Sequence, residues 1–305
     1  MVRILGLSSL LAGAAIAVGC GMTMSSAGDE TTTDGGASTD GGASSDAAVD
    51  AGATGEGVIT VGTTVDTGGL RTFFASAQFA SPRLPSPADC VVSTIGPCRL
   101  SRCYISPIGP SDSGTPAVAH SAGQLTIASP SGTKVVMPYL YDGYTARPAS
   151  IVFAAGDTLT VDGTGAEVPA IHQTVVAPSD AELIAPAFTT EGVRSTEIDR
   201  STDLAVRWTG GGGDKVVVTL RVNEWVAHGG GAWKQLDCEL DASPGAGVIP
   251  SAALKALPAV SAGGQRTSGL YITPTSSVTF AAGSYRVRLG ALGAGSGGGP
   301  FTTRN

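Results

Sequence analysis

Charge is scarce in this chain. Only 14 % of its 305 residues are Asp, Glu, Lys or Arg, against about a quarter in ordinary globular proteins. There is no run of Lys or Arg, so the electrostatic footprint of a nucleic-acid binder is missing. Histidine occurs three times, as His120, His172 and His228. None sits in a His-Glu-x-x-His pair, which excludes that metalloprotease motif. No serine stands in a Gly-x-Ser-x-Gly elbow, and the strand–helix alternation such an elbow needs is absent. Aromatics make up 5 % of the chain, so each one left outside a core is worth following. Long apolar runs are also lacking beyond Ile4–Val18, which is shorter than the roughly 20 residues of a spanning helix.

That single apolar run carries the clearest address in the chain. Met1-Val2-Arg3 supplies one positive charge, the uncharged stretch follows, and Ala17-Val18-Gly19-Cys20 closes it. A basic start, an apolar middle and a small-residue exit describe an export signal. The segment resembles the signal of bacterial lipoproteins: Val18, Gly19 and Cys20 fit the lipobox, and Ala17 stands where Leu is usual. The resemblance implies cleavage before Cys20 and a diacylglyceryl thioether on its sulfur, which places the protein in the bacterial cell envelope with the membrane as its partner. Two or three acyl chains hold stably where one binds only marginally. Gly21 follows, where Asp would favour inner-membrane retention, so the resemblance implies the outer membrane.

Residues 21–57 are Gly, Ala, Ser, Thr and Asp with little else, and hold seven acids and no base. Such a tract cannot bury enough apolar surface to offset its ordering entropy. It reads as a flexible linker spanning on the order of 30–35 Å. A calcium-loop reading fails for want of the Glu and the packing apolar residue of such loops. The remaining 248 residues carry 17 bases and 18 acids, net −1. The acidic balance belongs mostly to the linker.

The rest of the chain alternates with period two. Phe73, Ala75, Ala77 and Phe79 share a face. So do Leu125 and Ile127, Leu159 and Val161, Leu204, Val206 and Trp208, Val216 to Val222, and Tyr285, Val287 and Leu289. Branched residues in alternation, broken by Gly and Pro, read as half-buried antiparallel strands. Only residues 250–257, flanked by Pro250 and Pro258, read as helical. The expected fold is all-β, with two sandwich-like modules after the linker. The expected organisation is a signal over 1–19, a lipid-anchored linker over 20–57, a Cys-containing β domain over 58–178, a second sandwich over 179–292 and a flexible tail over 293–305. The break at Ala177-Pro178-Ser179-Asp180 separates the modules. The stretch from Glu182 to Leu292 resembles immunoglobulin-like or fibronectin-III-like modules. The resemblance rests on Leu204-Ala205-Val206-Arg207-Trp208 and on Ala282-Gly283-Ser284-Tyr285-Arg286-Val287-Arg288-Leu289. It implies a sandwich and no particular activity.

With Cys20 assigned to lipid, Cys90, Cys98, Cys103 and Cys238 remain. An even number in an exported chain favours disulfides, with three pairings open. A two-residue turn at Gly96-Pro97 would set Ile95 opposite Cys98 and Cys90 opposite Cys103. Cys90 and Cys103 would then form a non-hydrogen-bonded pair, with Cα atoms about 4.5 Å apart, within disulfide reach. Cys98 would point to the other face and be left for Cys238, stapling the two halves. A four-residue loop would break this register. Zinc on thiolates is the alternative, but its ligand spacing is approached only by Cys98 and Cys103. No cofactor is expected.

The glycine run before Lys215 lacks the Ser or Thr that a phosphate loop places after its Lys, and reads as a hairpin loop. Asp157 and Asp162 read as solvated strand ends. The aromatics give the remaining candidates. Trp225 and Trp233 bracket a glycine-rich stretch, and Tyr139, Tyr141 and Tyr144 surround Asp142-Gly143. Exposed aromatics on sandwich loops stack on sugars or anchor proteins. The sequence thus reads as a non-enzymatic envelope lipoprotein that displays β modules for surface binding or scaffolding. The runner-up is a carbohydrate-binding module using these loops. A hydrolase ranks third, and would need a pocket holding a histidine with a carboxylate or hydroxyl in reach.

Overall fold

A computed structural model describes residues 53–65, 70–82, 84, 89–105, 117–148, 153–189, 195–225, 231–261 and 266–304. In chain order the first strands are β1 (Gly55–Val65), β2 (Arg71–Ser81), β3 (Asp89–Ile95), β4 (Cys98–Ile105), β5 (Val118–Ala119), β6 (Leu125–Ala128), β7 (Lys134–Met137), β8 (Tyr139–Leu140), β9 (Gly143–Ala146), β10 (Thr158–Gly163) and β11 (Ile171–Val176). Then follow β12 (Ala181–Ala185), β13 (Thr196–Asp199), β14 (Leu204–Gly210), β15 (Lys215–Trp225), β16 (Gly231–Asp241), β17 (Ala246–Ile249), the helix α1 (Ser251–Ala256), β18 (Thr267–Ala282), β19 (Tyr285–Leu292), β20 (Gly295–Ser296) and β21 (Phe301–Arg304). The fold is all-β.

One long sheet runs β3-β4-β16-β15-β18-β19-β1-β2-β9-β8, with β5 added on β2. Two four-stranded sheets, β11-β10-β6-β7 and β17-β14-β12-β20, and the pair β13-β21 complete the fold. Each half of the long sheet has its own core. Ile59, Phe73, Phe79, Val287 and Leu289 of the long sheet meet Leu125, Ile127, Leu159 and Val161 in the first. Leu100, Val218, Leu220, Leu236 and Leu270 meet Leu183, Val206, Trp208 and Ile249 in the second. Burying each such side chain is worth about 1.5–3 kcal/mol. The chain changes core across Pro178-Ser179-Asp180: Ala177 belongs to the first and Ala181 to the second.

The helix forms where Pro250 and Pro258 bracket it. Pro250 offers no side-chain cap, so Asp203 accepts the Ser251 amide at 2.8 Å instead. Buried Ala253 and Leu254 hold this short helix on the second core.

The two halves are interleaved, which corrects the segment boundaries expected from sequence. The β3–β4 hairpin lies before the junction, yet Cys98 and Leu100 are buried in the second core. Conversely, β19 lies after the junction but pairs in parallel with β1 and fills the first core. Trp208 and the Tyr285-Val287-Leu289 face therefore sit in different cores, and Glu182–Leu292 is not one closed module. The expected linker also ends early, because Gly55, Glu56 and Gly57 already pair with β19. Glycine is needed there, since a Cβ at Gly57 would come within 2.5 Å of the Phe79 ring. The tail expected to be flexible is ordered through Arg304: β20 pairs with β12 and β21 with β13.

The hinge of this arrangement is β18. Thr267–Thr275 pair with β15 and Thr275–Ala282 pair with β19. The Thr275 carbonyl accepts the Asp214 amide at 2.9 Å, and the Pro274 carbonyl accepts the Gly293 amide at 3.0 Å. Adjacent carbonyls of a strand point opposite ways, so the two neighbours flank opposite edges of β18. A single strand thus serves both cores.

The cysteines pair as the hairpin register predicts. Ile95 faces Cys98 across Gly96-Pro97, and Cys90 faces Cys103. Disulfides join Cys90 to Cys103 and Cys98 to Cys238. The second links directly opposed residues of β4 and β16. Residues 1–52, with Cys20, lie outside the described residues.

Candidate functional site

The alternation of β15 turns Val216, Val218, Leu220 and Val222 into the second core and leaves Thr219, Arg221 and Asn223 on the opposite face. Register then builds three rows across the sheet. Thr219 lies between Asp237 and Tyr271, Arg221 between Gln235 and Gly269, and Asn223 between Trp233 and Thr267. The polar groups satisfy one another. Thr219 donates to Asp237 at 2.7 Å, and the Gln235 amide donates to both Asp237 oxygens at 3.1 and 2.9 Å. Arg221 Nε donates to Asn223 at 2.8 Å, and Asn223 donates to Thr267 at 3.2 Å. The Arg221 guanidinium stands 5.0 Å from the Trp233 ring centroid, a cation–π distance.

Trp233 is half-buried in this face and Tyr271 is 53 % exposed. The Tyr271 ring lies over Gly269, where a Cβ would collide with it. The result is a broad, preorganised surface of two rings, a guanidinium, amides and one hydroxyl–carboxylate pair, on a sheet whose end is tied by two disulfides.

Other residues singled out by sequence are scattered. Tyr144 is fully buried, and its hydroxyl is spent on the fold. It accepts the Ala122 amide at 2.7 Å and donates to the Gly123 carbonyl at 2.8 Å. It is a core residue and not a ligand contact. Tyr139 packs on it, ring centroids 5.2 Å apart; burial, then the neighbouring Tyr144, raises its pKa. Tyr141 is 99 % exposed at the β8–β9 turn with φ 58°. These tyrosines lie at the β8 end of the long sheet, whereas Trp233 lies toward the β3 end. They do not converge on one site. Trp225 closes β15, with its side chain outside the described residues, as is His228. Sequence reading missed Tyr271 and Arg221. The alternation Thr267-x-Gly269-x-Tyr271-x-Thr273 against buried Leu270 and Ile272 was the available signal.

The remaining titratable groups do not assemble a reaction centre among the described residues. His172 and Asp162 face each other across β11 and β10 at 2.6 Å. Both are largely exposed, at 78 % and 52 % of their side chains. His120 stacks edge-on against Tyr285 at 5.8 Å. Asp157 accepts the Ala154 amide at 2.8 Å and closes a turn. The glycine run at 210–213 does not make a hairpin: it carries the chain from β14 to β15, which lie in different sheets. The Gly212 amide there donates to Ser179 Oγ at 2.6 Å. Among the described residues no group of three His, Cys, Asp or Glu gathers to hold a metal. No described helix is long and apolar enough to cross a membrane.

A hollow of about 90 Å³ opens at the junction between Thr63, Arg71, Phe153, Ala155, Pro178 and Asp180. Arg71 and Asp180 form an ion pair across it. Small-molecule pockets usually exceed ~300 Å³.

No protein-family model matches the chain, and no curated protein matches it. Among solved structures, a DUF4785 family protein from Legionella pneumophila aligns at 10 % identity and a TM-score of 0.18. The alignment covers 66 % of this chain and 52 % of the other, so the chain spans about half the length of that structure.

Proposed function

We propose that this protein is a non-catalytic, lipid-anchored binding protein of the bacterial cell envelope, which docks partners on the sheet face around Trp233, Arg221 and Tyr271. The observation that carries the reading is that face itself. An exposed Tyr271 ring stands on the same sheet face as the half-buried Trp233 ring and the Arg221 guanidinium packed on it, while their polar neighbours are already hydrogen-bonded. Aromatic and Arg side chains held this way are the usual anchors of binding surfaces. The two disulfides support an oxidising, exported compartment, in keeping with the lipobox-like run ending at Cys20. Metabolic labelling with an alkyne fatty acid tests the anchor. Label is expected on the wild type and lost in Cys20→Ser; an unlabelled wild type removes the anchor from the proposal.

A second reading is favoured by Tyr271, whose exposed ring over Gly269, the cross-strand partner of Arg221, suits stacking on a sugar. A glycan array probed with the full chain tests it. Binding that falls at least about tenfold in Tyr271→Ala, about 1.4 kcal/mol, supports this reading. Binding unchanged in both Tyr271→Ala and Trp233→Ala moves the site elsewhere.

A further inference from the structure

The long sheet ends at β3. Among the described residues no strand pairs with its outer edge, and Cys90 through Thr94 are exposed on both faces. Val91 is 70 % and Val92 40 % exposed. An unpaired edge is a template for another strand, and proteins usually blunt it with charge, proline or a bulge. Here the strand carries no proline and one charge, Asp89 at its first position, and the register with β4 runs unbroken from 89 to 95. The edge is also held in place: one disulfide ties β3 to β4 and the other ties β4 to β16.

The hairpin dictates which backbone groups face outward. Ile95 and Cys98 flank a two-residue turn, so they form a hydrogen-bonded pair, and such pairs alternate along the ladder. Ser93 and Val91 therefore bond to β4, whereas the N–H and C=O of Cys90, Val92 and Thr94 point away from it. The Cα separation of 4.1 Å at Cys90–Cys103 agrees with a non-hydrogen-bonded pair there.

We propose that β3 is a self-association edge that pairs antiparallel with β3 of a second copy about a two-fold axis at Val92. Val92 is the midpoint of Asp89–Ile95, and its own polar groups face outward. An axis there sets Val92 against Val92 of the second copy and Cys90 against Thr94, so every outward group of the strand is used, in six hydrogen bonds. An axis at Val91 or Ser93 would pair groups that point inward. This self-complementarity is what an isologous interface requires, and the outward residue at the strand's midpoint lets two copies use every outward group about one axis. The axis stands perpendicular to the sheet, so the Trp233 faces of the two copies look the same way. Each β16 is two strands inboard of β3, which separates the two β16 strands by on the order of 25 Å. The dimer does not depend on the function proposed above.

Sedimentation velocity of the full chain across a concentration series tests the proposal. A dimer is expected. Val92→Pro removes an outward N–H and no bond to β4, and is expected to give monomer. Val92→Lys sets like charges directly opposite each other, and is expected to weaken association at least about tenfold. Mixing Val92→Lys with Val92→Glu is expected to restore dimer, which a misfolded variant would not do. A wild type that stays monomeric at every concentration overturns the proposal. So does a dimer that survives both Val92→Pro and Val92→Lys.

Discussion

Tyr144 shows how one side chain can look like a ligand contact and act as a bolt. It stands close in sequence to the exposed Tyr141. Its ring packs edge-on to Phe79 at 6.1 Å, and its hydroxyl closes the 121–123 turn, with Ser121 Oγ at 3.1 Å as a third partner. Tyr144→Phe keeps the ring but leaves the buried Ala122 amide without its acceptor. An unsatisfied buried donor costs about 1–3 kcal/mol, so the variant is expected to melt lower, by thermal denaturation followed in circular dichroism. An unchanged midpoint would show that water replaces the hydroxyl. Nothing local in the sequence separates Tyr144 from Tyr141, because both flank the same turn and only the facing sheet decides which is covered. Asp199 carries the same lesson for charge. The Ser201 hydroxyl, then its amide, then Arg304 hold its carboxyl down at about 2. Two of those donors are visible nearby in sequence and the third is 105 residues away.

Elements closed by short-range geometry were legible from sequence, and those closed by distant partners were not. The β3–β4 register was legible from one assumed turn and the cysteine spacing, which favoured the pairing the structure shows over the two others that were open. The strand faces of β2, β10, β14 and β15 followed from alternation, since each lies between a core and solvent. The parallel pairing of β19 with β1 had no local signal, because it joins residues some 230 positions apart. The C-terminal tail was misjudged for a physical reason. Its glycines read as freedom, but they mark close approach. A Cβ at Gly295 would collide with the Ile272 carbonyl, and one at Gly298 with that of Leu270. Glycine thus lets the tail lie against β18. The Cys98–Cys238 bridge makes an element-scale prediction. It closes a loop of 140 residues and fastens the hairpin to β16. Removing such a bridge typically costs 2–5 kcal/mol. In Cys98→Ala/Cys238→Ala, amide exchange is expected to rise first in β3 and β4, because they hold the sheet's outer end. Exchange that rises uniformly over the chain would place the bridge's effect elsewhere.

At the scale of the molecule, two cores share one sheet, one strand and one tail. Asp180 fastens the junction, accepting the Ala294 amide at 3.0 Å and pairing with Arg71 of β2. The tail then reaches the second core, where Phe301 is 2 % exposed and its amide donates to Ser268 Oγ of β18 at 3.0 Å. Loss of Phe301 therefore acts on β18, and β18 carries β19, which fills the first core. The halves are expected to unfold as one unit. Phe301→Ala should cost about 3–5 kcal/mol, the usual range for a buried Phe. Calorimetry is expected to show a single transition shifted downward as a whole. Amide exchange in β10 and β11, which never touch the tail in sequence or pairing, should accelerate along with exchange in β14. Two resolved transitions, with β10 and β11 protected as in the wild type, would mean that β18 can fray at Thr275 without carrying the first core with it. The decision between the two outcomes lies in that one residue, since among the described residues of β18 only Thr275 is paired with both β15 and β19, through Lys215 and Leu292. Breaking the ladder there uncouples the cores only if every contact between the facing sheets is weaker than the strand that joins them. The ion pair at Arg71 and the anchoring of Ala294 by Asp180 argue that it is not.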